Sequence, residues 1–342
     1  MKRVSIVILN WNGKEMLRKY LPSVLKFSNG EDFEVCVADN ASTDSSVEML
    51  KAEFPGVRIE QLDMNYGFAQ GYNIALKRIE AEYYILLNSD VEVTENWIEP
   101  MLQYLDSNPD VAACQPKILS AHDHSTFEYA GAAGGYIDKY GYPFCRGRIF
   151  DTVEKDNGQY DEPASVMWAT GAALMVRSAD FHSVGGLDPK FFAHMEEIDF
   201  CWRLRSRGRG IVCIPDSKVF HVGGGTLPKN NPFKTFLNFR NNLLMLYKNV
   251  PDDCLKRIMI VRFWFDMLAI LVFALKMQMG DAKAVIRARK EFKKLRKTLY
   301  KDIRKQNMAL ATNKYPAEWW NKSLLKAYHL NGKKTFSELN FK

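Results

Sequence analysis

The sequence carries six cysteines (36, 114, 145, 201, 213 and 254), but no two of them are spaced CxxC, and several fall inside apolar runs. That pattern points to buried thiols in a reducing compartment rather than a disulfide framework or a structural zinc site. No GxGxxG follows the first strand-like run, so the dinucleotide fingerprint of a Rossmann dehydrogenase or methyltransferase is missing. The same position reads "NWNGKE", poor in glycine and positive charge, which argues against a nucleotidyltransferase triphosphate loop. Lys2 and Arg3 lead straight into "VSIVILNWNG", too short for a signal core and without a small-residue cleavage site. There is no internal repeat, no low-complexity block and no nucleophilic Ser or Cys constellation. The most apolar stretch, residues 254–280, is interrupted by Arg262, Asp266 and Lys276, so it is not an uninterrupted 18-residue apolar span.

What is present suits a large core. The 342 residues are 47% apolar and 25% charged, enough for one big α/β domain with an appendage or for two domains. Charge is uneven. Residues 251–342 hold 21 Lys+Arg against 8 Asp+Glu, a balance of +13, which leaves −6 on residues 1–250. A body at 1–250 and a helical, basic extension at 251–342 are therefore expected, the extension facing an anionic membrane surface, packing on the body, or meeting a second copy in a homodimer. No nucleic-acid motif accompanies the charge.

Over the first 115 residues, strand and helix signals alternate. "VSIVIL", "FEVCVA", "VRIEQL", "YYILL" and "VAACQP" read as strands. The intervening segments read as helices: one interrupted at Pro22, one opened by a Ser45–Glu48 capping box, one capped by Thr94. Strands alternating with helices imply a mostly parallel sheet covered on both faces, with ligands at the carboxyl ends of its strands. Four successive strands end in Asn or Asp: Asn10; Asp39 and Asn40; Asn65; and Asn88-Ser89-Asp90. Caps and turns explain one or two such endings; four suggest a shared crevice. Asp90 there can hold a hard divalent cation, although an N-cap explains it equally well in isolation. Glu196 and Glu197 open a helix, where they complement its dipole, but the preceding "FFAH" makes a partly dry pocket and a general-base role open to them. His221 closes a strand before Gly223-Gly224-Gly225 and is a further candidate metal ligand or phosphate contact.

"VSIVILNWNG", "VADNASTDSS", "NYGFAQGYNIAL", "LLNSDVEV", "WATGAALMVR", "GGLDPKFFAHMEEIDFCWRLRSRG" and "KVFHVGG" occur in this order over about residues 3–245. Together they resemble glycosyltransferase family 2, inverting enzymes of the GT-A fold, and its rhamnosyltransferase-like branch. The resemblance implies an α/β, Rossmann-like fold and a nucleotide-sugar donor, dTDP-rhamnose or a UDP-hexose. It implies a divalent metal, Mg²⁺ or Mn²⁺, and a glycan or polyprenyl-linked glycan acceptor handled in the cytoplasm at the inner face of the cell membrane. It places Asp39 at the nucleotide base and Asn10, Asn65, Gly67, Phe68, Ser89, Trp168 and Gly171 along the donor. Asp90 and His221 fall at the metal, with Asn88 where a first acid often stands. Glu197, or its neighbour Glu196, occupies the position of the catalytic base, in a Glu-Glu-x-Asp motif where the family usually has Glu-Asp-x-Asp. A catalytically inactive, membrane-associated scaffold is the reading of a different class.

Overall fold

The computed structural model describes residues 2–223 and 231–341. Gly224 and Gly225, the end of the expected glycine run, lie outside the described residues. The chain runs β1 (Lys2–Asn10), α1 (Lys14–Phe27), β2 (Phe33–Asp39), α2 (Ser46–Glu53), β3 (Arg58–Gln61), α3 (Gly67–Leu76), β4 (Ala81–Leu87), β5 (Val91–Val93), α4 (Glu99–Ser107) and β6 (Val111–Ser120). A compact insertion follows, with β7 (Gly135–Asp138), β8 (Pro143–Cys145), β9 (Arg148–Ile149) and β10 (Thr152–Val153). Then come β11 (Ala164–Ser165), β12 (Ala173–Arg177), α5 (Ser178–Ser183), α6 (Glu196–Ser206) and β13 (Gly210–His221). Four helices complete most of the remainder: α7 (Pro232–Asn249), α8 (Asp252–Leu275), α9 (Met279–Thr298) and α10 (Tyr300–Leu310), before the short β14 (Trp319–Trp320).

The main sheet has the order β11-β13-β6-β12-β4-β1-β2-β3, with β5 added to β13. Strands β3, β2, β1 and β4 are parallel, as are β6 and β13, but β12 runs antiparallel between β4 and β6. The sheet is thus mixed rather than mostly parallel. Strand β12 is reached after a long excursion through the insertion, so local alternation could not reveal its direction. Both faces are covered, as two-sided apolar strands require. Along β1, Val4, Ile6 and Ile8 enter the core under α1 and α4, whereas Val7 enters the opposite core with Tyr72, Leu86 and Trp202.

Three local expectations change. Helix α1 continues through Pro22. Ser45 has a positive φ and makes no side-chain cap; Asp44 instead accepts from the Ser46 and Lys14 amides. Thr94 does not cap α4; its hydroxyl donates to the Lys218 carbonyl and ties β5 to β13. For Asp44 and Thr94 a tertiary partner, the Lys14 amide or the Lys218 carbonyl, takes part in place of the local cap. "IVCIP" and "SKVFHV" form one strand, with an irregular register between Ile214 and Lys218.

Residues 251–341 share the interior of the body. Strand β14 pairs in parallel with β7, and Tyr300, Trp320, Leu324 and Leu339 join the same core cluster as Trp168 and Trp202. The second sheet reads β10-β9-β8-β7-β14.

Candidate active site

Because β12 is antiparallel, its beginning lies at the same edge of the sheet as the ends of β4, β6 and β13. Ala173 is opposite Leu87, and the Asn88 amide donates to the Ala172 carbonyl at 2.9 Å. Residues 170–172, Asn88–Asp90 and His221 therefore meet at one edge, together with the ends of β1 and β2. Sequence-distant strand ends become neighbours through topology alone.

At the β1–β2 end, Asp39 is buried. Its carboxylate accepts from the Asn10 side chain at 3.0 Å and from the Ser42 amide at 2.9 Å. Asn10 Oδ1 is buried without a hydrogen-bond partner. Gly13 leaves room here: a Cβ on it would stand 2.5 Å from Asn10 Oδ1 and 3.6 Å from Ser89 Oγ. Asn40, next in the chain, organises the loop before α3. Its side chain donates to Asn65 Oδ1 and the Gly67 carbonyl and accepts from the Tyr66 amide. Asn65 Oδ1 also accepts from the Gly67 amide at 2.8 Å. Gly67 has φ +73°, and a side chain there would run into the Phe192 ring. Only glycine adopts that conformation at little cost and leaves the space open. Phe68 packs edge-on against Tyr72, with ring centroids 4.8 Å apart.

Asp90 and His221 face each other, with Oδ1 3.1 Å from Nε2, and both are nearly buried. Asn88 Nδ2 lies 3.4 Å from the same ring nitrogen. On the other side of the ring, Nδ1 is 3.5 Å from Glu128 Oε1. Burial alone would lower the imidazole's pKa, but the two flanking carboxylates prevail and raise it to about 10. Burial would raise Asp90, yet the His221 hydrogen bond and charge hold it below the usual carboxylate range. Among the described residues, no three His, Cys, Asp or Glu side chains are grouped to hold a metal. The donor set is Asp90 and His221 with the Asn88 amide. One buried carboxylate, one imidazole and an amide oxygen fit a hard or borderline cation that takes further oxygens from a ligand. Glu128 was not legible in the sequence, because it sits in an aperiodic Gly- and Tyr-rich segment.

Glu196 and Glu197 open α6 in different surroundings from Asp199. Asp199 is fully buried and held by Arg203 at 3.0 Å, Lys248 at 2.8 Å and Asn249 at 2.9 Å. Burial would raise its pKa, but Lys248 and Arg203 hold it low. Glu196 Oε2 and Glu197 Oε2 are buried with no hydrogen-bond partner. Burial lifts Glu197 to about 7, and burial with the neighbouring Glu197 charge lifts Glu196 well above the ordinary range. Glu197 is the one beside Gly171. A Cβ built on Gly171 would stand 3.8 Å from Glu197 Cβ and 3.2 Å from the Phe68 ring. Phe68, Gly171 and Glu197 therefore converge.

The segment leading to these acids is strained. Phe192, His194 and Met195 have φ of +65°, +69° and +70°, each costing roughly 1–3 kcal/mol. Asn241 of α7, wholly buried, holds this segment by donating to the carbonyls of Phe191, Ala193 and His194 at 2.9, 3.0 and 2.8 Å. The Phe192 carbonyl in turn accepts from the Phe68 and Ala69 amides, joining the strained segment to the start of α3. Neither Asn241 nor Phe192 was singled out by sequence, since one reads as an ordinary helix residue and the other as an apolar core residue. Trp168 is turned inward: its indole donates to the Tyr136 carbonyl at 2.9 Å and its ring lies on Gly135.

A mixed α/β sheet flanked by helices, with a carboxylate–imidazole pair at its carboxyl edge, is the architecture of the GT-A glycosyltransferases. The profile of glycosyl transferase family 2 matches residues 5–146, and over that stretch the chain is similar to the family. The N-acetylglucosaminyl-diphospho-decaprenol L-rhamnosyltransferase of Mycobacterium tuberculosis (strain CDC 1551 / Oshkosh) is 25% identical over 232 residues, 63% of this chain and 75% of that protein. The O-antigen biosynthesis protein RfbC of Myxococcus xanthus is 25% identical over 222 residues, 64% of this chain but only 17% of that much longer protein. In fold, the chain is similar to GalNAc-T7, solved with UDP, GalNAc and Mn²⁺. The TM-score is 0.59 at 16% identity, over 90% of this chain and 58% of that one.

Proposed function

We propose that this glycosyltransferase moves a sugar from a nucleotide-diphospho-sugar to a glycan hydroxyl with inversion at the anomeric carbon, and that Glu197 is the base. The observation that carries this reading is the Glu197 carboxyl: one oxygen buried without a hydrogen bond, raised to about 7, on a residue that meets Gly171 and Phe68 at the edge that also bears Asp90 and His221. Dehydration keeps such a carboxyl basic enough to accept a hydroxyl proton near neutral pH. The acceptor oxygen attacks the anomeric carbon as its proton passes to Glu197, and the bond to the diphosphate breaks on the opposite face. A single displacement of this kind inverts the centre and needs no covalent intermediate. Holding both reactants in line removes much of the entropic barrier.

Asp39, with Asn10, is the proposed contact for the nucleotide base. Asn65, Gly67, Phe68, Ser89 and Gly171 line the donor, and Trp168 supports that wall from the core side. Asp90 and His221, with the Asn88 amide, are the residues that would hold Mg²⁺ or Mn²⁺, which when bound neutralises charge developing on the departing diphosphate. The names of the relatives support a deoxyhexose donor of the dTDP-rhamnose type and a polyprenyl-linked glycan acceptor, which would be met at the inner face of the cell membrane. A body at 1–250 carrying the site and an extension at 251–342 carrying the membrane contact is the proposed division of labour.

The test is a panel of nucleotide-sugars with Mg²⁺ or Mn²⁺, reading binding and nucleotide release. One donor should bind and turn over. Absence of binding and release with every common donor would refute the proposal.

A further inference from the structure

Helix α8 is amphipathic in the opposite sense to a helix on a water-soluble surface. Its charged side is inside. Arg262 is 2% exposed and Asp266 is fully buried. Arg262 donates to the Tyr140 carbonyl at 3.3 Å and stacks over the Tyr142 ring, and Asp266 pairs with Arg262 and Arg289. The outward side is apolar. Trp264 is 66% exposed and Leu275 75%, and Ile260, Leu268 and Leu271 are more than half exposed between them. These residues recur every three or four positions, so they form one continuous stripe. Leaving such a stripe in water while burying an ion pair beneath it reverses the ordinary economy of a surface helix.

The stripe has charged flanks. Lys283, Arg287, Lys290, Lys293, Lys294 and Lys297 on the adjoining α9 are all exposed. It also leads to the crevice. At its end Met277 and Met279 are exposed, and Gly280 abuts Pro232: a Cβ on that glycine would be 2.9 Å from the proline ring. Thr235 bonds Asp281 at 2.6 Å, which fixes this end of α8–α9 to the start of α7. Phe233, also exposed, has its ring 6.1 Å from Phe192, which lies against Gly67 beside the proposed donor loop.

We infer that the outer face of α8 seats in the interfacial region of an anionic lipid bilayer, lying along it, and that Met279, Phe233 and Phe192 continue this apolar surface to the mouth of the crevice. The 24 residues are long and apolar enough to cross a membrane. Crossing would nonetheless carry Tyr140, Tyr142 and Arg289, which grip the inner side, into hydrocarbon. Lying flat keeps those contacts and places the basic α9 beside lipid headgroups. The consequence for a lipid-linked acceptor rests on the transferase reading; the membrane contact itself does not.

The experiment uses the full chain and vesicles of phosphatidylcholine with about a third phosphatidylglycerol, without donor or acceptor, so it is independent of turnover. The wild type should sediment with these vesicles, less with pure phosphatidylcholine and less at high salt. Brominated lipid should quench a fluorescence component that Trp264→Phe removes. The triple variant W264S/L268S/L271S should lose at least tenfold in vesicle affinity while its melting temperature and its release of nucleotide from donor in water stay at wild-type level. Wild-type protein remaining in the supernatant, or a triple variant that binds as tightly as wild type, would overturn the inference. So would a wild-type dimer that the triple variant converts to monomer without any vesicle binding, since the stripe would then be covered by a second copy.

Discussion

Glu197 and Asp199 stand two residues apart on one helix, and their neighbours divide their roles. Asp199 has Arg203, Lys248 and Asn249, and holds a proton poorly. Glu197 keeps one carboxyl oxygen buried without a hydrogen bond and has a pKa lifted to about 7. Replacing Glu197 by Gln should reduce kcat by about 10²–10⁴-fold and leave donor affinity within a few-fold of wild type. Activity should rise with pH and level off above about 7, because the base must be deprotonated; a rate–pH profile checks this. Stability should move the other way. A carboxyl whose folded pKa is raised stabilises the fold only while protonated, and that contribution is lost as pH rises through the folded value. Glu197→Gln should therefore melt higher than wild type at pH 8 by roughly 1–2 kcal/mol, allowing for its partial exposure, and no higher below the ordinary glutamate range. Asp90→Asn should weaken donor binding in the presence of Mn²⁺ more than tenfold and with little effect in its absence, measurable by calorimetry.

At the scale of elements, the strained approach to α6 depends on Asn241. Its amide serves three carbonyls, and no other side chain could do so without the same two-donor geometry. Asn241→Leu should cost about 2–4 kcal/mol by stranding buried carbonyls, and should lower kcat more than donor affinity because Glu197 loses its setting. Denaturant melts and kinetics on the same preparation separate these effects. Much of the frame around this segment was legible beforehand. Strands β1, β2 and β4 announced themselves as two-sided apolar runs, and their polar ends marked the carboxyl edge of the sheet. What could not be read were choices made by distant partners. Asp44 rather than Ser45 caps the start of α2, because it also reaches Lys14. Strand β12 turns antiparallel because it returns from the insertion between β4 and β6. Glu128 reaches His221 from a segment with no periodicity to mark it.

For the molecule as a whole, the basic tail is woven into the body. Asp138 in β7 accepts from the Leu324 amide at 2.8 Å, Arg304 donates to the Val250 carbonyl at 2.7 Å, and the Lys248 ammonium bridges Asp188 and Asp199 under the hydroxyl of Tyr300. Cutting the chain after residue 250 should expose Trp202, Phe144 and Leu246 and yield an aggregating product without a cooperative melt, as scanning calorimetry would show. The charge asymmetry seen in the sequence thus marks a surface, with α8 and α9 presenting apolar and basic faces side by side, rather than a detachable segment. The central claim is inverting transfer from a nucleotide-sugar with Glu197 as base. The measurement that bears on it most directly is the anomeric configuration of the product, followed by NMR with the donor identified in the panel, for wild type and Glu197→Gln side by side. The account predicts an inverted product from wild type and, from the variant, bound donor with almost no product. A product of retained configuration, or undiminished transfer by Glu197→Gln, would contradict it.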